Sequence, residues 1–462
     1  MTTIHQLSAL ELSDSYASGG LSPVEVTRAI FEHIDACEPK LNAMYLLHRE
    51  SAMQQAQAAE ARWRKHLPLS ALDGVPITIK ENIATEGDPV PIGTGASDMT
   101  PKDFDAPPAA RVREAGCVLL GKTTMPDFGM LSSGVSSLHG VTRNPWQLDR
   151  NTSGSSSGAG AAAAAGYGPL HLGTDIGGSV RLPATHCGIF GLKPSLGRVP
   201  IYSPYMARVT GPMTRSVSDA ALLMNVVAAF DARDYMSLPY EAINFTDLTL
   251  EPRGLRVGLL REMKVGLPVH SDVAAAVAAA AGALEKAGAI VEEIESFLTP
   301  EMLDGAAGFF EARAYNDFVA LSPERQAKVL PFIAEWCSYR AKSFSGGDVM
   351  TAFSQIFACR EAAVRATQPF DFLLSPTSPI LPYEAEQACP GNNPHNALPH
   401  IAFTVPWNLS EQPAASVNWS FSQDGLPIGV QIIGKRFDDI GVMQMAHLIE
   451  QIRPTQRPWP SI

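Results

Sequence analysis

Three short stretches hold residue types that together suit acyl-transfer chemistry. They are Gly74-Val75-Pro76-Ile77-Thr78-Ile79-Lys80, Ser153-Gly154-Ser155-Ser156-Ser157-Gly158 and Gly173-Thr174-Asp175-Ile176-Gly177-Gly178-Ser179-Val180-Arg181. A serine hydroxyl is a weak nucleophile and needs a base within hydrogen-bond reach. A lysine serves as that base without any histidine when it is neutral, and burial in an apolar setting lowers a lysine pKa by several units. Val75, Ile77 and Ile79 lie along the run that ends at Lys80, consistent with such burial. A hydroxyl donates and accepts at once, so a second serine can pass a proton between nucleophile and base. Paired glycines let backbone N–H groups turn toward a developing oxyanion, where a side chain would block the approach.

Each stretch taken alone has a plainer reading. A lysine at a strand end is usually a solvated charge, a Gly/Ser run is usually a linker, and Gly-Gly-Ser after a strand is usually a turn. Gly154-Ser155-Ser156-Ser157-Gly158 also matches G-x-S-x-G, the nucleophile elbow of α/β-hydrolases. That elbow needs a buried strand directly before it, and Gln147-Leu148-Asp149-Arg150-Asn151-Thr152 does not read as one.

The elements that must position these residues follow from pattern. The first 65 or so residues read as helical. Ser22-Pro23-Val24-Glu25 is a capping box with proline at the first helical position, and Val26, Ile30 and Ile34 recur at helical spacing. Residues 75–79 read as a buried strand, 109–115 as a helix and 117–121 as a strand. Residues 122–153 read as irregular, and 155–165 as a helix of small side chains that lets other elements approach closely. Extended segments are expected at 171–174, 188–192 and 201–202, and a helix at 218–230. A β-α-β unit follows (255–260, 272–287, 289–294), then a mainly helical region over 298–368. Strands near 370–374, 414–418 and 428–433 and a helix over 440–451 close the chain. Strands alternating with helices predict an α/β sheet covered on both faces.

Composition narrows the function. The chain has 462 residues, 45% apolar and 18% charged, with a net charge of −12. An acidic surface gains nothing from the counterion release that drives nucleic-acid binding, and no Lys/Arg cluster forms a basic patch. Nucleic acid and anionic membrane are not expected partners; a small-molecule substrate is. The six cysteines are scattered, with no C-x-x-C pair or metal-ligand spacing, and read as free thiols of a reducing compartment. No apolar run approaches the ~20 residues that span a bilayer. The expected location is the cytoplasm.

Together, the three stretches and their surroundings resemble the amidase signature family. The resemblance rests on SGSSSGAGAAAAAG, then GTDIGGSVRLPATHCGIFGLKPSLGRVP, with GVPITIKEN, GKTTMPDFGM, GVTRNPW, GPMTRSVSDAALLM, FTVPWNLSEQPAASV and DGLPIGVQIIG in order. It runs over roughly residues 5–450 and is similar to the acylamidase and aryl-acylamidase branch. It implies one amidase signature domain over 1–462, a mixed sheet with helices on both faces. N-terminal helices would occupy 1–65, the signature core 70–230 and a variable helical insert about 298–368.

Residue by residue, the resemblance implies Ser179 as nucleophile, Ser155 as bridging serine in a cis peptide with Ser156, and Lys80 as base. It implies an oxyanion hole of the Ile176, Gly177, Gly178 and Ser179 N–H groups. No metal or organic cofactor is implied. Asp175 and Arg181 read as a structural pair that fixes the turn. The family's acyl-pocket loop corresponds to Asp127–Ser132, which makes Gly129 and Met130 candidate substrate contacts. Trp336, Tyr339 and Phe344 in the insert are candidates for the entrance. Ser153, Ser157, Thr124 and Asn418-Trp419 depart from the family pattern, away from the triad. The implied activity is amide C–N hydrolysis on aryl or alkyl acylamides through an acyl-enzyme, with esters and aryl carbamates (urethanes) as side substrates. Two alternatives stand beside it: the glutaminase subunit of a tRNA-dependent amidotransferase, and a non-catalytic binding subunit of the same fold. The family also implies a homodimer as one arrangement, although no heptad or exposed apolar stripe marks it.

Overall fold

The computed structural model describes residues 3–462. Its first long helix is Pro23–Leu41, started by the expected capping box: Ser22 accepts from the Glu25 N–H while Glu25 accepts from the Ser22 N–H. Val26, Ile30 and Ile34 form its buried face. Asn42 ends it in the left-handed region at φ 53°. The start of the chain is not wholly helical, however. Met44–Leu47 forms a strand, β1, before the helix Arg49–Trp63. Four residues carry too little periodicity to show a strand; β1 exists because it pairs with a distant partner.

The remaining strands are β2 (Pro76–Lys80), β3 (Val118–Thr123), β4 (Val135–Ser136), β5 (Gly140–Val141), β6 (Arg143–Asn144), β7 (Gln147–Asn151), β8 (Leu170–Asp175), β9 (Phe190–Lys193), β10 (Val209–Thr214), β11 (Arg256–Leu259), β12 (Ile290–Glu293), β13 (Phe372–Pro376), β14 (Ala414–Phe421) and β15 (Pro427–Ile433). Eleven of them form one sheet in the order β1-β3-β2-β8-β10-β9-β14-β15-β13-β11-β12. β2 runs parallel to β3 and β8, and β11 parallel to β12 and β13; the other pairs are antiparallel. The sheet is therefore mixed, and helices cover both faces.

Two strand expectations need correction. β10 lies where the sequence pattern predicts no strand, because Gly211 and Pro212 break up its signal, yet it pairs along its length with β8. Ile201 and Tyr202 form no strand. In the irregular 122–153 region, β4 pairs with β5 and β6 with β7. Residues 147–151 are thus extended, but in a half-exposed hairpin and not in the buried strand an elbow requires.

The helix Ser157–Ala165 is buried at every residue. A Cβ on Gly158 would lie 2.3 Å from the Ala43 carbonyl oxygen and 2.5 Å from the Thr124 nitrogen, so glycine sets how closely this helix approaches its neighbours. Residues 298–368 fold mainly as helices Pro300–Val319, Pro323–Gln326, Pro331–Tyr339 and Gly346–Thr367; all but the short Pro323–Gln326 share a second apolar core with residues 397–409. All six cysteines are free and buried. Among the described residues, no helix is long and apolar enough to cross a membrane.

Candidate active site

Lys80 ends β2, a strand buried at every residue, and its own side chain is fully buried. Its Nζ lies 2.8 Å from Ser155 Oγ, 3.0 Å from Ser156 Oγ and 3.0 Å from Thr174 Oγ1. Among the described residues it has no carboxylate in ion-pair contact. Burial lowers the Lys80 pKa from 10.5 to about 7; Asp175 and Glu81 oppose that fall, and Arg208 adds to it.

The three hydroxyls around Nζ are not equivalent. Ser156 Oγ donates to the Thr174 carbonyl at 3.1 Å and accepts the Thr174 N–H at 3.2 Å. With its proton committed, Ser156 accepts from Lys80. A neutral amine has two N–H donors and one lone pair, so the lone pair is left for Ser155 or Thr174. Thr174 Oγ1 also accepts from Asn82 Nδ2 at 3.0 Å.

Ser179 sits in the turn between β8 and the helix Arg181–Cys187. Asp175 organises that turn. Its carboxylate receives the Gly178 N–H at 2.8 Å, the Val180 N–H at 3.1 Å, Asn408 Nδ2 at 2.8 Å, and Arg181 through Nε and Nη2, each at 3.0 Å. Arg181 also donates to Asn408 Oδ1 at 2.6 Å, Gln431 Oε1 at 2.7 Å and the Thr404 carbonyl at 3.0 Å. Burial pushes the Asp175 carboxyl up, but Arg181, Asn408 and the backbone donors outweigh it and hold the group far below the usual carboxylate range. The pair acts as a brace.

Of the four N–H groups expected to face an oxyanion, Gly178 is thus already committed to Asp175. The N–H groups of Ile176, Gly177 and Ser179 have no acceptor among the described residues. The cis peptide expected between Ser155 and Ser156 lies one bond earlier, at Gly154–Ser155. Ser156 N–H donates to the Ser179 carbonyl at 3.2 Å, tying the two serine-bearing segments together.

Two adjoining cavities share Gly129, Ile176 and Ser179. The polar one is also lined by Asn82, Ser155, Thr174, Arg208 and Arg313. The apolar one is lined by Met130, Leu131, Phe310, Leu398 and Ile401. Gly129 has φ 67°, and a Cβ there would lie 2.8 Å from Met125 Cε and 3.4 Å from Ser155 Oγ. The structure therefore brings Lys80, Ser155, Ser179, Ile176, Gly177, Gly129 and Met130 to one place.

It does not bring the three insert aromatics there. Trp336 faces a separate cleft, Tyr339 stacks on His395 at 3.8 Å, and Arg340 covers Phe344. Phe310, Leu398 and Ile401 take their place. Ile401 sits in the 3-10 turn Pro399–Phe403 and Leu398 directly precedes it, so neither gives a periodic signal. Asn82 and Thr174, which the sequence reading does not single out, stand within or beside the quoted motifs.

The model of the amidase family matches residues 25–443, and the chain belongs to that family of C–N bond hydrolases. It is 34% identical to a glutamyl-tRNA(Gln) amidotransferase subunit from Chloroflexus aggregans, covering 99% of each chain. Among solved structures it is similar to a bacterial aryl acylamidase of the amidase signature family, with 30% identity and a TM-score of 0.90 over 98% of this chain and 97% of that one. It is also similar to 6-aminohexanoate cyclic dimer hydrolase, with 28% identity and a TM-score of 0.88 over 98% of both chains. The fold is thus the amidase signature fold.

Proposed function

We propose that this chain hydrolyses acyl amides with Ser179 as nucleophile, Ser155 as proton relay and Lys80 as base. Aryl and alkyl acylamides are the substrates, with esters and aryl carbamates as further ones. One observation carries the reading: a fully buried lysine with no carboxylate partner lies 2.8 Å from a serine that shares a cavity with Ser179.

Neutral Lys80 accepts the Ser155 proton while Ser155 accepts that of Ser179. The Ser179 oxygen attacks the carbonyl carbon. The oxyanion is met by the free N–H groups of Ile176, Gly177 and Ser179, while Gly178 holds the turn through Asp175. The proton returns through Ser155 to the leaving nitrogen, the C–N bond breaks, and an acyl ester remains on Ser179. Water then cleaves that ester by the same relay. Every proton has a residue of the chain to carry it. Gly129 and Met130 flank the acyl group.

The test is hydrolysis of an aryl acylamide, its ester analogue, an aryl carbamate and glutamine by the purified chain, beside Ser179→Ala, Ser155→Ala and Lys80→Ala. Turnover of the aryl substrates, abolished in Ser179→Ala and cut by several orders of magnitude in the other two, is expected. Near-wild-type turnover in Lys80→Ala would sink the assignment. A second reading, the glutaminase subunit of a tRNA-dependent amidotransferase, is supported by relatives matched along their whole length. Under it, only glutamine is cleaved, or nothing without a partner. The apolar wall of Met130, Leu131, Phe310, Leu398 and Ile401 favours the first reading. Failure of a fluorophosphonate to label Ser179 would support a non-catalytic role.

A further inference from the structure

Arg208 and Arg313 stand in the wall of the polar cavity, with Ser155 and Ser179. They come from distant parts of the chain: Arg208 directly precedes β10, and Arg313 sits on the helix Pro300–Val319. Tyr205 holds both. The Arg313 Cζ lies 4.2 Å from the centroid of its ring and the Arg208 Cζ 5.7 Å. Arg208 also donates to the Ser203 carbonyl.

Among the described residues, neither guanidinium has an ion-pair partner. Asp175 lines the same cavity but is already filled by Arg181, Asn408 and backbone donors. Asp234 and Asp317 act on the two arginines only from beyond ion-pair distance. Burial first, and then Arg313, lowers the Arg208 pKa from 12.5 to about 10. Two cations gathered on one ring repel each other, and among the described residues no carboxylate stands within ion-pair distance to neutralise either of them. A solvated surface pair would need no explanation; this pair borders the nucleophile.

We infer that Arg208 and Arg313 form a carboxylate subsite on the leaving-amine side of Ser179, so that preferred substrates are acyl amides whose amine half carries a carboxylate. The choice of side rests on the hydrolase reading above. The departing nitrogen takes its proton from Ser155, and Ser155 lines the arginine cavity, not the apolar one. The acyl group then fills the apolar cavity. Guanidinium forks match the planar geometry of a carboxylate and bind it in charge-assisted hydrogen bonds.

The test is calorimetric titration of Ser179→Ala protein with 4-(butyrylamino)benzoate, with the neutral isostere butyryl-4-nitroanilide, and with glutarate monoanilide, whose carboxylate is on the acyl half. The benzoate is expected to bind about tenfold or more tightly than either of the others. That preference is expected to shrink to about twofold when Arg313→Gln or Arg208→Gln is added. Equal affinities, binding of none of the three, or tightest binding of the glutarate would each overturn the subsite. Wild-type turnover of the nitroanilide is read separately. Turnover without carboxylate preference overturns the subsite alone; carboxylate preference without turnover overturns the hydrolase reading alone.

Discussion

Ser156 Oγ lies 3.0 Å from Lys80 Nζ while giving its own proton to the Thr174 carbonyl at 3.1 Å. That pairing fixes Ser156 as an acceptor and so turns one N–H of the lysine away from the relay. The amine's lone pair is thereby kept for another hydroxyl. In the proposed relay Ser156 is a positioning residue: it acts on the chemistry through Lys80.

Ser156→Ala removes that acceptor without touching Ser155 or Ser179. A lost hydrogen bond to this group is worth roughly 1–3 kcal/mol, so kcat is expected to fall about 5- to 150-fold. KM is expected to change by less than about threefold, since the loss falls on the proton relay. Steady-state kinetics on an aryl acylamide reads both; an unchanged kcat would remove Ser156 from the machinery.

The pH profile follows from the sign of the Lys80 shift. In the proposed mechanism the active form is the neutral amine, and burial brings its pKa down to about 7. Activity is therefore expected to be low at acid pH, where Lys80 is protonated, and to rise through about pH 7 to a plateau. Arg208 contributes to keeping that pKa low. Arg208→Met is thus expected to move the acid limb upward. A rate flat across about pH 6 to 9 would exclude Lys80 as the titrating base.

Arg181→Met leaves the Asp175 carboxylate buried without its cation. Breaking one side of a buried pair costs about 3–5 kcal/mol, and a lower thermal midpoint by calorimetry is the expected readout. Asp175→Asn combined with Arg181→Met is expected to recover part of the loss, because no naked charge then remains.

The adjacent glycines answer differently to a methyl group. At Gly178, with φ 129°, a Cβ would lie 2.5 Å from Thr404 Oγ1 and 2.8 Å from Thr404 Cβ. At Gly177 its nearest neighbour is Ile401 Cδ1 at 3.6 Å. Gly178→Ala is expected to destabilise the chain by about 1–3 kcal/mol. Gly177→Ala is expected to keep its thermal midpoint within about 2 °C, as an ordinary contact costs little. Equal shifts in the two variants would contradict this account.

The residues of the site are legible in the sequence where local chemistry is dense. Lys80 follows an apolar run, and Ser155 and Ser179 sit in Gly/Ser segments whose order matches a family pattern. Capping at Ser22 and the apolar spacing of Val26, Ile30 and Ile34 predict a helix that the structure contains. β1 and β10 give no local signal because one is four residues long and the other holds Gly211-Pro212; long-range pairing makes both into strands. Ser156 is hidden for another reason. Three consecutive serines look alike in one dimension, and only the path of each proton separates them. Arg208, Arg313 and the apolar wall of Phe310, Leu398 and Ile401 meet only through tertiary folding.

β2 and β8 are neighbours in the sheet but far apart along the chain; Lys80 and Ser155, which they help to bring together, are 75 positions apart. A nascent or clipped chain that has not closed this pairing carries only ordinary alcohols and a protonated, solvated lysine. Under the proposed mechanism, hydrolytic competence thus arrives with the assembled sheet and departs with it. On that mechanism the chain is dormant while it is made and inert once it unravels.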